Sequence, residues 1–329
     1  MVKFILKRIL YIIMVLFMVS FFLFMLFRTM PGDPVDLFLP PEMAAGMDPA
    51  VVAIIRAEII ETMALDRSHI VQYLYWLAAV FRGNFGVSME SRMPVLDHVR
   101  SPMANTLVIN IFNMVIVFAI TIPVGVYSAI KRGKLFDNSA LVGSMVGISI
   151  PGFLFGLILI VIFAVLLDWL PMFGMASTMP PPAGTLAWYF DRLRHMVLPL
   201  TAMVLASIAG MIRFTRSAMI DALNMDCVRT ARAKGLAEKT VIYVHAFRNA
   251  LIPIITILGG FFITIFSGSM AIEATFSWQG MGQIMLNALN LRDISVLMAM
   301  NVFYAFIAFT VILVLDIVYA LVDPRIRFE

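Results

Sequence analysis

The chain has 329 residues, 62% of them apolar and only 13% charged, with a mean hydropathy of +0.97 and a formal net charge of +4. Soluble domains carry about 45–50% apolar and about 25% charged residues, and no soluble fold hides this much apolar surface, so a soluble globular protein is excluded. The single cysteine, Cys227, excludes an internal disulfide framework. No basic run interleaves with aromatics, so nothing points to nucleic acid.

A bilayer core of about 30 Å takes about 20 apolar residues in helix. Residues 9–27 supply the first such run, interrupted only by Ser20. Lys3, Lys7 and Arg8 ahead of it imitate a signal peptide, but the run is longer than an h-region. No small-residue cleavage site follows it, so a retained helix is expected. Residues 29–102 differ in kind, with nine acids, five basic residues, and turn signals at Pro31-Gly32-Asp33-Pro34 and Pro40-Pro41. Apolar residues at helical spacing predict amphipathic helices over residues 49–65 and 70–81, in an ordered segment outside the membrane.

Five further spans are predicted at about residues 107–130, 140–167, 196–212, 251–272 and 296–322. The second holds Pro123 and Gly125, and the third holds Gly143, Gly147, Pro151, Gly152 and Gly156. Small residues let helices approach closely in lipid, where neighbouring helices satisfy what a proline frees. The expected fold is therefore all-α and polytopic, with about six transmembrane helices. It divides into residues 1–28, an extracytoplasmic segment 29–102, and a five-helix core 103–329.

Orientation follows from lysine and arginine counts in the short connections. With a cytoplasmic N-terminus, fifteen such residues lie inside: 3, 7 and 8; 131, 132 and 134; seven between 213 and 248; and 325 and 327. Outside, apart from residues 28–100, there are Arg192, Arg194 and Arg292. Both termini are expected to be cytoplasmic.

The inner connection 213–249 is too long for a turn and too rich in helix formers for a linker. Asp226 suits the N-cap of a short helix over residues 227–234. Gly235 sits where a left-handed C-cap residue belongs, and Lys234 faces the negative end of the dipole. A second helix from Glu238 runs through His245 and Arg248 towards Pro253. Helix, glycine corner and helix make a knob carrying Arg229, Arg232 and Lys234 beside Ala231 and Ala233. Such a knob suits insertion into a groove on another protein. The same residues serve equally as a plain tie between spans four and five.

The stretch Val228-Arg-Thr-Ala-Arg-Ala-Lys-Gly-Leu236, with His245-Ala-Phe-Arg-Asn-Ala-Leu-Ile-Pro253, resembles the EAA-type coupling loop of ABC importer permeases. The chain is similar to the B-type subunit of the dipeptide, oligopeptide and nickel importers over nearly its whole length. Supporting matches are Met30-Pro-Gly-Asp-Pro34, Leu65-Asp-Arg67, Gln72-Tyr73, Trp76-Leu77, Arg82-Gly83, Phe85-Gly-Val-Ser88, Asn105-Thr-Leu107, Glu273-Ala-Thr-Phe-Ser-Trp278, Gly280-Met-Gly282 and Asp323-Pro-Arg325. Cys227, Asn84, Gln279 and Ile294-Ser295 depart from the family pattern. The resemblance implies a multi-pass subunit of a prokaryotic cytoplasmic (inner) membrane, importing di- or oligopeptides. It implies that Asp226, Arg229, Thr230, Ala231, Arg232, Ala233, Lys234, Gly235 and Leu236 dock on an ATPase. The implied partners are a second related permease, two ATPase subunits and an extracytoplasmic binding protein. The chain itself would be no enzyme and hold no cofactor, with ATP and magnesium in the ATPases.

No G-x-x-x-x-G-K-S/T phosphate loop is present, so the energy for transport has to come from elsewhere. An ion-coupled secondary transporter is the competing reading, and it needs ionisable groups inside the membrane. Asp316 is the one clear candidate there. Asn110, Asn113, Thr121, Ser144, Ser149, Thr201 and Ser207 could line a pathway, and contacts between helices explain them equally. Trp278 reads as an interfacial anchor, and Glu273 as a helix-end contact or gate element. His69, His98, His195 and His245 lack ligand spacing, and no paired-carboxylate or nucleophile pattern recurs, so neither a metal site nor catalysis is expected.

Overall fold

The computed structural model describes residues 2–29, 34–39, 41–62 and 64–322. Part of the Met30–Pro34 match, the Asp323–Arg325 match, and Arg325 and Arg327 of the orientation count lie outside the described residues. Regular structure among the described residues is helical: α1 (Val2–Arg28), α2 (Pro34–Phe38), α3 (Pro41–Ala44), α4 (Pro49–Thr62), α5 (His69–Phe81), α6 (Val95–Ile130), α7 (Leu135–Ser149), α8 (Gly152–Leu159), α9 (Leu186–Leu223), α10 (Asp226–Ala233), α11 (Glu238–Thr240), α12 (Phe247–Thr264), α13 (Met270–Phe276), α14 (Met281–Leu291) and α15 (Ile294–Val322). Two π-type stretches, Ile160–Leu166 and Val241–Ala246, extend α8 and join α11 to α12.

Five of these helical segments are long and apolar enough to cross a bilayer, and α7 with α8 makes a sixth if the pair is one broken span. The pair bends by 94°. The cause is Pro151, which drives the preceding residue out of the helical region; Ile150 is extended at φ −99°, ψ 120°. The third predicted span is thus broken. The fourth is longer than expected: α9 has 38 residues, about 57 Å of helix. It takes in Arg213 and Arg216, which hydropathy assigns to the following loop. The fifth stops at Thr264, eight residues early, and its last part becomes the separate helix α13.

The described residues fall into two compact units. The first holds those up to Pro102 together with Ile284–Leu313. Its centre is Tyr73 of α5, buried among Phe17, Phe21 and Phe24 of α1 at ring-centroid distances of 5.5, 5.1 and 5.6 Å. Edge-to-face pairs of this kind add about 0.5–1.5 kcal/mol each beyond burial. Ser20, the one polar interruption of the first apolar run, lies 2.8 Å from the Tyr73 hydroxyl. The loop 83–94 is fastened by Asp293, which accepts from Ser88 Oγ at 2.9 Å and from the Met89 N–H at 2.6 Å. The predicted helix over residues 49–65 exists as α4, which ends at Thr62; none of its residues is fully buried, and Val52, Ile55 and Ile59, at helical spacing, are half-buried.

The second unit holds Met103–Gln283 and the described residues from Val314 onward. Here α9 is the central helix, and its neighbours meet it at small residues. A Cβ on Gly125 of α6 would lie 2.7 Å from Thr215 Cβ, and one on Gly147 of α7 would lie 2.9 Å from Ala209 Cβ. Bare glycine is what allows these crossings.

Candidate functional site

The helix α10 has two faces. Val228 and Ala231, three residues apart and so on one side, are buried with Met219 and Ala222 of α9, and with Val241, Ala246 and Ala250 beyond the corner. Burying Val228 alone is worth roughly 1.5–3 kcal/mol. Residues five apart in an α-helix point about 140° from each other. The wider π-type stretch instead lets both Val241 and Ala246 reach this core. On its other side Asp226, Arg229, Thr230 and Ala233 are exposed.

The corner follows from local chemistry. Gly235 has φ +73°, a left-handed conformation that costs an L-residue about 1–2 kcal/mol, and its N–H bonds to the Arg232 carbonyl at 2.9 Å. Arg232 reaches across the corner to Glu238, with Nη2 to Oε1 at 2.7 Å and Nε to Oε2 at 3.2 Å. That pairing raises the Arg232 guanidinium above its ordinary value. Arg229 is tied only loosely, 3.8 Å from Asp226, and its side chain is 73% exposed. The expected N-cap is displaced by one residue: Met225 takes that position, with no side-chain cap, and Asp226 opens the helix inside its first turn. Its charge still favours the positive helix end. Lys234 is the C-cap, and Leu236 is exposed beyond Gly235.

The knob stands on a charged footing. Asp137, at the start of α7, is 1% exposed. It accepts from Ser128 Oγ at 2.6 Å, the Gly133 N–H at 2.8 Å and Arg216 Nη2 at 2.8 Å, with Arg216 Nε on its other oxygen. Arg216 lies two turns before the end of α9, which leads directly into α10. The fork on one carboxylate therefore ties the α6–α7 corner to the stem of the knob.

At the opposite end of this unit a second carboxylate is buried. Glu273 of α13 accepts from Thr106 Oγ1 at 3.1 Å and from the Gln283 N–H at 3.0 Å, and Thr106 Oγ1 accepts from the Met281 N–H at 2.7 Å. Burial raises the Glu273 carboxyl above its ordinary value, against the lowering effect of these donors. A Cβ on Gly280 would lie 2.6 Å from Glu273 Oε2, so this turn closes only on glycine. Two neighbours on α6 complete the fastening: Asn105 donates to the Gln279 carbonyl and Asn110 to the Ile265 carbonyl, each at 2.8 Å. Trp278 is not an interfacial anchor. Ser277 ends α13 in a left-handed turn at φ +52°, which folds Trp278 back to 4% exposure among Ile109, Met196 and Phe276.

Two family descriptions match the chain. Residues 121–328 match the binding-protein-dependent transport system inner membrane component, and residues 1–116 match the N-terminal part of such membrane components. The chain belongs to this family. Oligopeptide transport system permease protein AppB of Bacillus subtilis (strain 168) is 37% identical over 329 residues, covering all of both chains. Glutathione transport system permease protein GsiC of Escherichia coli (strain K12) is 33% identical over the same full lengths. A solved structure of the MetNI methionine ABC transporter, in an inward-facing conformation, aligns with TM-score 0.49 and 16% identity over 68% of this chain and 96% of that one. The expected role of a permease subunit in an ABC importer holds.

In this permease, the fold gathers Asp226, Arg229, Thr230, Ala231, Arg232, Ala233, Lys234, Gly235 and Leu236 into one helix and its corner, but they do not share one surface. Ala231 faces the subunit's own core, and Arg232 is engaged by Glu238. Thr121, Ser144, Ser149, Thr201 and Ser207 each donate to the carbonyl four residues earlier in their own helix. Asp316 is half-buried in α15. No group of three His, Cys, Asp or Glu side chains that could hold a metal is found among the described residues. Sequence reasoning missed the Asp137–Arg216 pair, although an acid three residues after Lys134, at the mouth of an apolar span, was the available signal.

Proposed function

We propose that α10 and its glycine corner form the lever through which a separate ATPase subunit drives this permease. The observation that carries the reading is the division of α10 into a face locked in the subunit core by Val228 and Ala231 and an opposite face left exposed with Arg229. A helix held on one side and bare on the other suits transmission of a push, and the buried Asp137–Arg216 fork stiffens its stem. The knob lies on the cytoplasmic side by the excess of basic residues there, with both termini inside and residues 29–102 outside. The chain then sits in the cytoplasmic (inner) membrane of a prokaryote. It pairs with a second permease and takes cargo from an extracytoplasmic binding protein, while ATP and magnesium are held by two ATPase subunits. Relatives named for oligopeptide and glutathione transport favour small peptides as cargo.

The test is uptake by the complete complex in liposomes carrying Arg229→Glu or Gly235→Val. Exposed substitutions usually change stability by no more than about 0.5 kcal/mol, so Arg229→Glu is expected to spare insertion and permease pairing. A β-branched residue at positive φ is strained, so Gly235→Val is expected to turn the corner out of line. Both variants are expected to lower uptake at least tenfold and to weaken copurification of the ATPase. Unchanged uptake in both would overturn the lever. Ion-driven uptake by the permease alone would favour the secondary transporter.

A further inference from the structure

A cavity of about 780 Å³ lies in the first unit, within the ~300–1,000 Å³ range of small-ligand sites. Two spans set its depth. Phe24, Phe27 and Arg28 line it from the last turns of α1, and Ile294, Ser295 and Met298 from the first turns of α15. Both helices are long and apolar enough to cross a bilayer, and these are ends at which they meet its surface. The cavity therefore sits at the level of the lipid headgroups. Phe38 and Trp76 extend its apolar wall, and α4, none of whose residues is fully buried, contributes Ile59.

The charges on this wall are two cations, Arg28 and Arg82, and one anion, Glu58. Gln72, only 3% exposed, also lines the cavity. Its amide nitrogen donates to the Leu65 and Arg67 carbonyls at 3.3 and 2.8 Å, while its Oε1 has no hydrogen-bond partner among the described residues. A buried acceptor of this kind is stabilised by any donor that reaches it. One wall thus offers guanidinium forks for a phosphate, and acceptors, one of them negative, for an ammonium.

We infer that this cavity binds a phospholipid with a primary-ammonium headgroup, of the phosphatidylethanolamine kind. Its acyl chain lies along the aromatic wall, its phosphate meets Arg28 and Arg82, and its ammonium donates to Glu58 and Gln72 Oε1. A choline headgroup brings no N–H to that oxygen, and a glycerol headgroup brings no charge to Glu58. The lipid completes the packing among α1, α4, α5 and α15, and the inference is independent of the lever at α10.

The complete complex, stripped of lipid in detergent and resupplied with equal amounts of ethanolamine, choline and glycerol phospholipids of identical chains, tests this. Mass spectrometry after repurification counts the lipids retained. Ala78 is an exposed residue of α5 on the cavity wall, and Arg82 is the exposed C-cap of the same helix. Exposed substitutions alter stability little, so Ala78→Trp, which fills the space, and Arg82→Gln, which removes a cation, are expected to fold. Each is expected to lose one retained lipid per permease relative to wild type. The lost lipid is expected to be of the ethanolamine type at least tenfold more often than either other type, a preference of about 1.4 kcal/mol. Glu58→Gln is expected to keep that lipid but to abolish the preference. Unchanged retention in Ala78→Trp or Arg82→Gln overturns the inference, as does a lost lipid of the choline or glycerol type, or a preference that survives Glu58→Gln. Displacement of the lipid by soluble glycerophosphoethanolamine also overturns it, because the headgroup alone would then be the ligand.

Discussion

Replacing Asp137 by alanine is expected to cost about 3 kcal/mol of stability, the lower end of the 3–5 kcal/mol seen when one partner of a buried ion pair is removed. The lower end applies because the Arg216 side chain is still 18% exposed and can draw some water. The loss has two parts. The Arg216 fork is left facing an emptied site, and the Ser128 hydroxyl and Gly133 N–H lose their acceptor. Replacing both members, Asp137→Ala with Arg216→Leu, is expected to recover much of the loss, because a buried pair exchanged for apolar groups is often neutral. Thermal unfolding of the complex in detergent measures both, and the double-mutant cycle isolates the pair. A coupling below about 0.5 kcal/mol would remove Asp137 as the footing of the knob, since contacting residues normally couple by at least that much.

The second large effect is expected at Glu273. Glu273→Ala would leave the Thr106 hydroxyl and the Gln283 N–H unsatisfied in a buried turn, at about 1–3 kcal/mol each. Transport is expected to fall with stability, because α13, α14 and α6 are all fastened through this one side chain. Glu273→Gln keeps the shape and an oxygen for the backbone donors, so it should fold.

The two variants also separate charge from packing through pH. Burial raises the Glu273 carboxyl in the folded state. A raised acid contributes stability that is fully present below its unfolded value and is lost as pH climbs through the folded value. Unfolding temperature measured from acid to neutral pH should therefore decline in wild type relative to Glu273→Gln, and the variant should match or exceed wild type at the neutral end. Parallel curves would show that the carboxyl does not titrate in this way.

The features legible in the sequence are those that composition records locally. Apolar runs of membrane length marked where spans lie, and a glycine between two helix-forming stretches marked the corner at Gly235, observed at φ +73°. Proline and glycine within residues 140–167 read as close-packing residues inside one span, and the break became visible only in the backbone at Ile150 and Pro151. What stayed hidden depends on partners far along the chain. Trp278 looked interfacial because hydropathy sees its polar neighbours, and it is buried because a left-handed Ser277 reverses the chain. The helical character of α10 could be read from its residues, but its inward face could not, because Val228 and Ala231 pack against residues on two other helices.

Hydrophobicity along the chain thus determined by itself that this is a membrane protein of about six spans with a small basic helix at one corner, because a bilayer acts on each segment separately. Only the tertiary structure decided which polar groups are paired and which side of that helix is free. Asp137 and Arg216 stand 79 positions apart, and Thr106 and Glu273 stand 167 apart. Their meeting is fixed by how helices cross in three dimensions, which local periodicity does not encode.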